Sequence, residues 1–203
     1  MRLLRYHASM AQPRKHLRRR EVHLQPRFLT FSCIDRRPLL QNDRIKDLFA
    51  ERLAACRSKY RFRLIAWVAM PEHAHLLLVP HPAVRGDVAR ILAGLKRPFA
   101  TAVLERWRQL GWSELAALRD AHDRPVFWES GGGFDRNVRD AAEYSKTVSY
   151  INSNPVERGL VSRATDYRWS SASAYAGASD PIVPVDLLGY DAPWNWRDDV
   201  INL

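Results

Sequence analysis

The sequence predicts an α+β fold: a ferredoxin-like, split β-α-β antiparallel sheet with helices on one face, followed by a further C-terminal helix and a tail. Three observations predict it. Segments of strand and helix character alternate in the order strand, helix, strand, strand, helix, strand, helix. Only a tight turn separates the second and third strands, which implies an antiparallel hairpin. The 203 residues are 46% hydrophobic, enough for one domain with a substantial core.

The first two elements are a strand and a capped helix. Residues 27–34 are rich in aromatic and β-branched side chains, which predicts a strand. Asn42 or Asp43 is a suitable N-cap for a helix that runs to about Tyr60. The apolar residues of this helix recur at helical spacing: Ile45, Leu48, Phe49, Leu53 and Cys56.

The predicted hairpin covers residues 62–69 and 73–79, with Pro71 and Glu72 in the turn. Alternate residues of a strand point to opposite faces, so His73 and His75 share a face of the sheet. Two neighbouring imidazoles on a rigid strand are half of a metal site. A His-x-His pair by itself is more often structural, and its meaning depends on what completes the site.

The second half of the chain predicts a helix over about 84–99, with a kink at Pro98. Residues 125–128 predict a short fourth strand, and Gly131–Gly133 a flexible loop. A third helix is predicted over about 135–154, ended by the proline that follows it.

Composition narrows the class of partner. The formal net charge is +10, and arginine, whose planar fork suits phosphate, supplies most of the positive charge. Nucleic acid is therefore the leading partner, ahead of a membrane surface. Cys33 and Cys56 are the only cysteines, which excludes a disulfide framework or a cysteine-rich zinc module and fits a reducing cytoplasm. No apolar run approaches the roughly 20 residues that span a bilayer.

Three regions are expected along the chain: a basic N-terminal arm over 1–26, the main domain over 27–171, and a C-terminal extension over 172–203 that packs on the domain. The arm would bind a phosphate backbone or remain a solvated tail. Its candidate DNA-binding residues are Arg14, Lys15, Arg18, Arg19 and Arg20.

The last predicted helix contains two tyrosines with different expected roles. At 3.6 residues per turn, Tyr144 belongs to an apolar stripe with Val148 and Ile151, so it is expected in the core. Tyr150 lies roughly opposite, and Asn154 follows it by one turn on the same side. A phenol and an amide therefore lie side by side away from the core, and Tyr150 is the candidate for chemistry.

At these residues the sequence resembles a known family. Met70-Pro71 followed by His73-Ala74-His75 resembles the His-hydrophobic-His (HUH) motif of single-tyrosine transposases and nucleases. The later segments Tyr150–Val156 and Trp169-Ser170-Ser171, with the middle block Phe127–Arg139, resemble REP-associated tyrosine transposases. Glu72 departs from the asparagine that is common before the first histidine of that family.

The resemblance implies a role for each matched residue. His73, His75 and Asn154 match ligands of a divalent metal, Mg²⁺ or Mn²⁺, and Tyr150 matches the nucleophile. The family chemistry is cleavage and rejoining of single-stranded DNA beside a hairpin, through a 5′-phosphotyrosine bond and a free 3′-OH. Basic residues expected to flank this site and contact DNA are Lys96, Arg97, Arg136, Arg139, Lys146 and Arg158.

Several alternatives remain open. The same sheet would also serve a non-catalytic DNA- or RNA-binding regulator, or a metal-dependent nuclease that uses water. Trp169-Ser170-Ser171 is either a DNA contact or a packing corner. The tyrosine helix would dock beside the histidine strand within one chain or across a homodimer, so both monomer and dimer are compatible. A cytoplasmic, nucleoid-associated bacterial protein is expected, with no membrane partner.

Overall fold

The computed structural model describes residues 25–81, 88–120, 122–131 and 133–191. The basic arm predicted over residues 1–26 falls almost entirely outside them, and with it Arg14, Lys15, Arg18, Arg19 and Arg20. The strands and helices are β1 Arg27–Ser32, α1 Asp43–Tyr60, β2 Arg63–Ala69, β3 His73–Val79, α2 Val88–Gln109, β4 Phe134–Asn137, α3 Ala141–Glu157 and α4 Ala172–Tyr175. No helix among these is long and apolar enough to cross a membrane.

The four strands form one antiparallel sheet in the order β2-β3-β1-β4. This order is what the split β-α-β pattern predicts, because β3 pairs with β1 as well as with its hairpin partner β2. The predicted ferredoxin-like α+β fold is therefore confirmed. The histidine strand β3 lies inside the sheet, paired on both sides, which gives its side chains a rigid base.

The two faces of the sheet are covered differently. Helices α1 and α2 pack on one face around Phe49, Leu95 and Phe99, which form the larger apolar core with residues such as Leu29 and Leu76. Tyr60 of α1 lies directly over Gly94 of α2, where a Cβ atom would come within 2.3 Å of the tyrosine ring.

Helix α3 packs on the opposite face, over β2 and β3. Its Tyr144 and Ile151 join Val68 and Leu77 in a second apolar cluster. The prediction of helices on one face thus holds for α1 and α2, while the extra helix α3 covers half of the other face. The half formed by β1 and β4 remains open beside α3.

The predicted fourth strand and both predicted ends of the third helix were wrong. Residues 125–128 do not form the fourth strand: they contribute only isolated bridges from Pro125 and Trp128, and Phe127 and Trp128 are buried in the core. The fourth strand is Phe134–Asn137, which overlaps the start of the range predicted as the third helix. That helix begins at Ala141, after Asp140, whose side chain accepts a hydrogen bond from the Glu143 amide. It also continues through Pro155 to Glu157.

Gly133 sets the approach of the chain to β4. It has a φ of +70°, and a Cβ atom there would lie 2.0 Å from the carbonyl oxygen of Thr30. Only glycine fits this position without moving the backbone. The residue that was predicted as part of a flexible loop therefore brings β4 tightly against β1.

Candidate active site

The candidate site begins with the two histidines of β3. His73 and His75 point to the α3 side of the sheet, as the strand alternation predicts, and both are buried. Their Nε2 atoms lie 2.9 Å apart. Two ring nitrogens that converge at this distance are arranged to share one ligand, either a proton between them or a metal ion in front of them.

Each imidazole has a partner on its other nitrogen. The Thr30 hydroxyl of the neighbouring strand lies 2.7 Å from His75 Nδ1. The Glu72 carboxylate Oε1 lies 3.1 Å from His73 Nδ1, an ion-pair contact whose angle is not that of a hydrogen bond. Such partners fix ring orientation and favour one tautomer, and metal-bound histidines usually have them. A hydroxyl both donates and accepts, so Thr30 suits either tautomer of His75, whereas the carboxylate favours a proton on His73 Nδ1.

Glu72 is itself held by two arginines. Its Oε1 lies 2.9 Å from Arg158 and 3.3 Å from Arg36. Arg36 reaches it from a short turn after β1 in which Asp35 and Arg36 both have left-handed backbone, with φ of 51° and 52°. Left-handed conformation is strained for residues other than glycine, so this turn is held by its contacts.

Burial keeps both histidines neutral. Burial, with smaller contributions from the nearby His73 and Arg36, lowers the pKa of His75 to about 3. Burial also lowers the pKa of His73, although the Glu72 carboxylate opposes the shift. For Glu72, burial would raise the pKa, but His73 and Arg158 outweigh it and the pKa is lowered. At neutral pH the site therefore presents neutral imidazoles, the form that coordinates metals.

Helix α3 presents three residues to this cluster at intervals of one turn. Tyr150 Oη lies 3.5 Å from His75 Nε2, and Arg158, just past the end of the helix, contacts Glu72. Asn154 lies between them at i+4 and is buried. Its Oδ1 atom accepts no hydrogen bond from any residue in the described ranges. A buried amide oxygen without a partner is costly, which marks it as a candidate ligand atom.

The two tyrosines of α3 differ as predicted. Tyr144 is buried, and its hydroxyl donates a hydrogen bond to the carbonyl of Leu188 in the C-terminal segment. Burial raises its pKa, which makes this phenol a poor source of phenolate. Tyr150 is 41% exposed and faces His75. The structure thus brings Tyr150, and not Tyr144, to the histidine pair within a single chain.

The segment Trp169-Ser170-Ser171 is a packing corner that anchors α3. The Ser171 hydroxyl donates to Asn152 Oδ1 of α3 at 2.7 Å and accepts from the backbone amide of Trp67 in β2 at 3.0 Å. Trp169 packs against Lys46, whose Nζ lies 3.6 Å from the ring centroid. The corner therefore ties the tyrosine helix to the edge of the sheet, and this explains the motif without a DNA contact.

The basic residues predicted to contact DNA separate into two groups. Arg136, Arg139, Lys146 and Arg158 lie on β4, on α3 or at their ends, around Tyr150 and Glu72. Lys96 and Arg97 lie on α2, which packs on the opposite face of the sheet, and Lys96 donates to the carbonyl of Gly131. The structure does not bring these two to the histidine pair, and their contact with DNA stays a prediction.

Sequence reasoning missed four residues that shape the site: Thr30, Arg36, Phe28 and Phe134. Thr30 and Phe28 alternate on β1 and so share the face of His75, a signal that strand periodicity contains. Nothing local indicates Arg36, because its contact to Glu72 exists only after β1 and β3 have paired. Phe134 fell between the predicted loop and the predicted third helix, and in β4 it lies beside Phe28 with ring centroids 5.8 Å apart.

Comparison with known proteins agrees with this geometry. A family model described as "Transposase IS200 like" matches residues 24–154, which include all of the sheet and most of α3. The chain belongs to this family. The resemblance drawn from the HUH and tyrosine motifs is thereby confirmed at the level of the family.

Two relatives of this transposase-family chain share one description. It is 26% identical over 130 residues to the REP-associated tyrosine transposase of Escherichia coli (strain K12), a match that covers 63% of this chain and 64% of the relative, slightly less than two thirds of its length. A Haemophilus influenzae (strain KW20) protein assigned to the same class is 26% identical over 158 residues, which cover 74% of this chain and 85% of that protein.

The fold also matches a solved structure of that class. A REP-associated tyrosine transposase bound to a REP hairpin superposes with a TM-score of 0.61, at 22% identity, over 88% of this chain and 96% of that one. At this identity the likeness concerns the fold. The sheet and its helices are arranged as in that structure.

Proposed function

We propose that this protein cleaves and rejoins single-stranded DNA beside a hairpin, with Tyr150 as the nucleophile. One observation carries the proposal: the Tyr150 hydroxyl lies 3.5 Å from a buried histidine pair whose Nε2 atoms are 2.9 Å apart. A phenol and a metal-type histidine pair at such proximity suit phosphoryl transfer to tyrosine. The hairpin substrate is supported by the similar proteins, which are named for REP sequences, and by the net charge of +10.

The residues present fit a divalent metal ion. In the described part of the chain, no third histidine, cysteine, aspartate or glutamate completes a site with the pair. The buried Asn154 Oδ1, which lacks a partner there, supplies the missing oxygen ligand. His73, His75 and Asn154 would hold the ion, and nitrogen with oxygen ligands suits Mg²⁺ or Mn²⁺ better than a thiolate site would. When bound, it would polarise the oxygens of the scissile phosphate.

The covalent step exchanges one phosphate ester for another. The phenolic oxygen of Tyr150 attacks phosphorus, and the bond from phosphorus to the 3′ oxygen breaks. The DNA strand then carries a 5′-phosphotyrosine bond to the protein, and the leaving strand ends in a free 3′-OH that has gained a proton. The phenolic proton passes to solvent, which Tyr150 contacts through its 41% exposed side chain. Because the ester bond energy is conserved, a second 3′-OH reverses the step and joins a new end.

Adduct formation tests the proposal. The purified chain is incubated with a labelled oligonucleotide containing a REP-type hairpin and single-stranded flanks, with Mn²⁺ or Mg²⁺, and the products are separated on a denaturing gel. We expect a protein–DNA adduct in the wild type and none in Tyr150→Phe. Tyr144→Phe is the matched control on the same helix and should keep the adduct, since it loses one hydrogen bond worth about 1 kcal/mol.

The other outcomes separate the remaining functions. Cleavage without an adduct would indicate a nuclease that uses water, with Tyr150 in a positioning role. Hairpin binding without cleavage under either metal would indicate a non-catalytic DNA-binding regulator. An adduct that persists in Tyr150→Phe would exclude this tyrosine as the nucleophile.

A further inference from the structure

A groove lies beside Tyr150, next to the histidine pair. It lies between helix α3 and the open half of the sheet face formed by β1 and β4. Phe28 and Tyr150 contribute aromatic walls, and the charged residues around it are Arg136, Arg139, Lys146, Asp140 and Glu143.

The strand register places this groove in line with the histidines. Thr30 of β1 pairs with His75 of β3 on one side and with Phe134 of β4 on the other. Residues opposite each other in neighbouring strands share a face of the sheet. His75, Thr30 and Phe134 therefore form one row across the sheet, and α3 covers the β3 end of it and leaves the β4 end open.

Aromatic rings continue from the candidate nucleophile along this row. The centroid of Phe28 lies 6.1 Å from that of Tyr150 and 5.8 Å from that of Phe134, and both pairs meet edge to face. Phe134 is 44% exposed although it is a large apolar residue on a strand. A single exposed apolar side chain is ordinary. Phe134, however, extends the aromatic cluster of Phe28 and Tyr150 and so presents a flat apolar face next to the candidate active site.

The charges around the rings favour an anionic ligand. The three basic residues Arg136, Arg139 and Lys146 outnumber the two acidic ones, so the groove has a net positive charge. Glu143 holds Arg136 at 2.6 Å and so fixes its guanidinium at the rim. Asp140 is occupied as the N-cap of α3 and accepts the Glu143 amide. Flat aromatic faces beside fixed cations match the two parts of a nucleotide, the base and the phosphate.

We propose that this groove binds an unpaired nucleotide of the DNA strand next to the scissile phosphate. Its base stacks on Phe134, which lies beside the groove against Phe28, and its phosphate lies in the groove toward Arg136 and Lys146. An unpaired nucleotide is required because bases inside a duplex have no free face for a side chain. The proposal rests on the proposed function, since it takes single-stranded DNA as the substrate, and it adds the residue that recognises the unpaired strand.

The test separates the contribution of the base from that of the phosphate. Binding is measured by fluorescence anisotropy with two labelled probes of equal length, an oligothymidylate and an oligonucleotide made of abasic sites. Phe134→Ala should weaken oligothymidylate binding about five- to hundredfold, the range for loss of one stacked base, and leave the abasic probe unchanged. Lys146→Ala should weaken both probes alike, because it removes a phosphate contact.

Two further variants control for folding and for apolar surface. Phe134→Trp restores a stacking face and should recover oligothymidylate binding. Leu110→Ala removes another exposed apolar side chain, at the far end of α2, and should change neither probe. An oligothymidylate that binds the wild type no better than the abasic probe, or a Phe134→Ala variant that loses both probes equally, would overturn the proposal.

These readouts are independent of catalysis. If the stacking pattern is found but no Tyr150 adduct forms, the proposed function fails and the groove still binds unpaired DNA. If the adduct forms while Phe134→Ala binds both probes like the wild type, only the groove proposal fails.

Discussion

Replacement of Glu72 by glutamine should weaken metal binding at the histidine pair. Glu72→Gln keeps the shape of the side chain and removes the negative charge 3.1 Å from His73 Nδ1. That charge favours the His73 tautomer with a proton on Nδ1 and a free lone pair on Nε2, the nitrogen that faces His75. The variant loses this preference while the packing around the turn stays the same.

The surroundings of Glu72 indicate how much metal affinity the variant should lose. The Glu72 side chain is only 10% exposed, so solvent screens its charge little. Its loss also leaves Arg36 and Arg158 without a counter-charge near the site, and these guanidiniums then oppose a divalent cation. Both effects act in the same direction. We expect a ten- to hundredfold loss of affinity, the range for removal of such a supporting partner.

Calorimetric titration with Mn²⁺ is the assay, with thermal unfolding of the apo chain as a separate measure of folding. Glu105→Gln is the matched control, because Glu105 is also paired with an arginine, Arg108, but lies on α2 on the other side of the sheet. The control should bind Mn²⁺ like the wild type. Equal affinity of Glu72→Gln and the wild type would refute the role of Glu72, and a wild type that takes up no Mn²⁺ would refute the site itself.

Three further variants probe the site and its support. Asn154→Ala removes the buried amide oxygen and should lower Mn²⁺ affinity more than about tenfold in the same titration; an unchanged affinity would exclude it as a ligand. Thr30→Val removes the hydroxyl 2.7 Å from His75 Nδ1 and should lower the affinity about tenfold without unfolding the chain; a lower melting temperature at constant affinity would contradict this. Arg27→Met breaks the buried ion pair with Asp135, so urea denaturation should show a loss of about 3–5 kcal/mol of unfolding free energy, and a loss below about 1 kcal/mol would contradict the argument.

The elements that the sequence predicted well are those with local signals. Strand β1 follows from its aromatic and β-branched residues, β2 and β3 from two apolar runs on either side of a tight turn, and α1 from its apolar spacing. Of the two predicted caps, the structure selects Asn42, whose side chain accepts a hydrogen bond from the Arg44 amide. A cap bond joins residues that are neighbours in the chain, so the sequence alone contains both partners.

The fourth strand was misplaced because its stability comes from a distant residue. Phe127 and Trp128 are apolar because they fill the core, and this was mistaken for a strand signal. The true strand β4 has a polar pattern: its Asp135 side chain is buried against Arg27 of β1, which pairs with it at 2.7 Å. Asp140, three residues before Glu143, was the local signal that would have placed the start of α3.

The sequence by itself determined which functional side chains share a face. The two-residue period of a strand puts His73 and His75 together, and the helical period puts Asn154 one turn from Tyr150. These relations are fixed by backbone geometry, whatever the rest of the chain does. The same reasoning separated Tyr150 from the core tyrosine.

Only the tertiary structure decided that the sheet face with His73 and His75 meets the helix face with Tyr150. Tyr150 comes to 3.5 Å from His75 because α3 folds back over β2 and β3, where Ser171 ties it to the sheet. The supporting contacts, Thr30 with His75 and Glu72 with Arg158, likewise join segments that are far apart in the chain. Such distances result from the packing of many residues that are distant in the sequence, so no local sequence pattern predicts them.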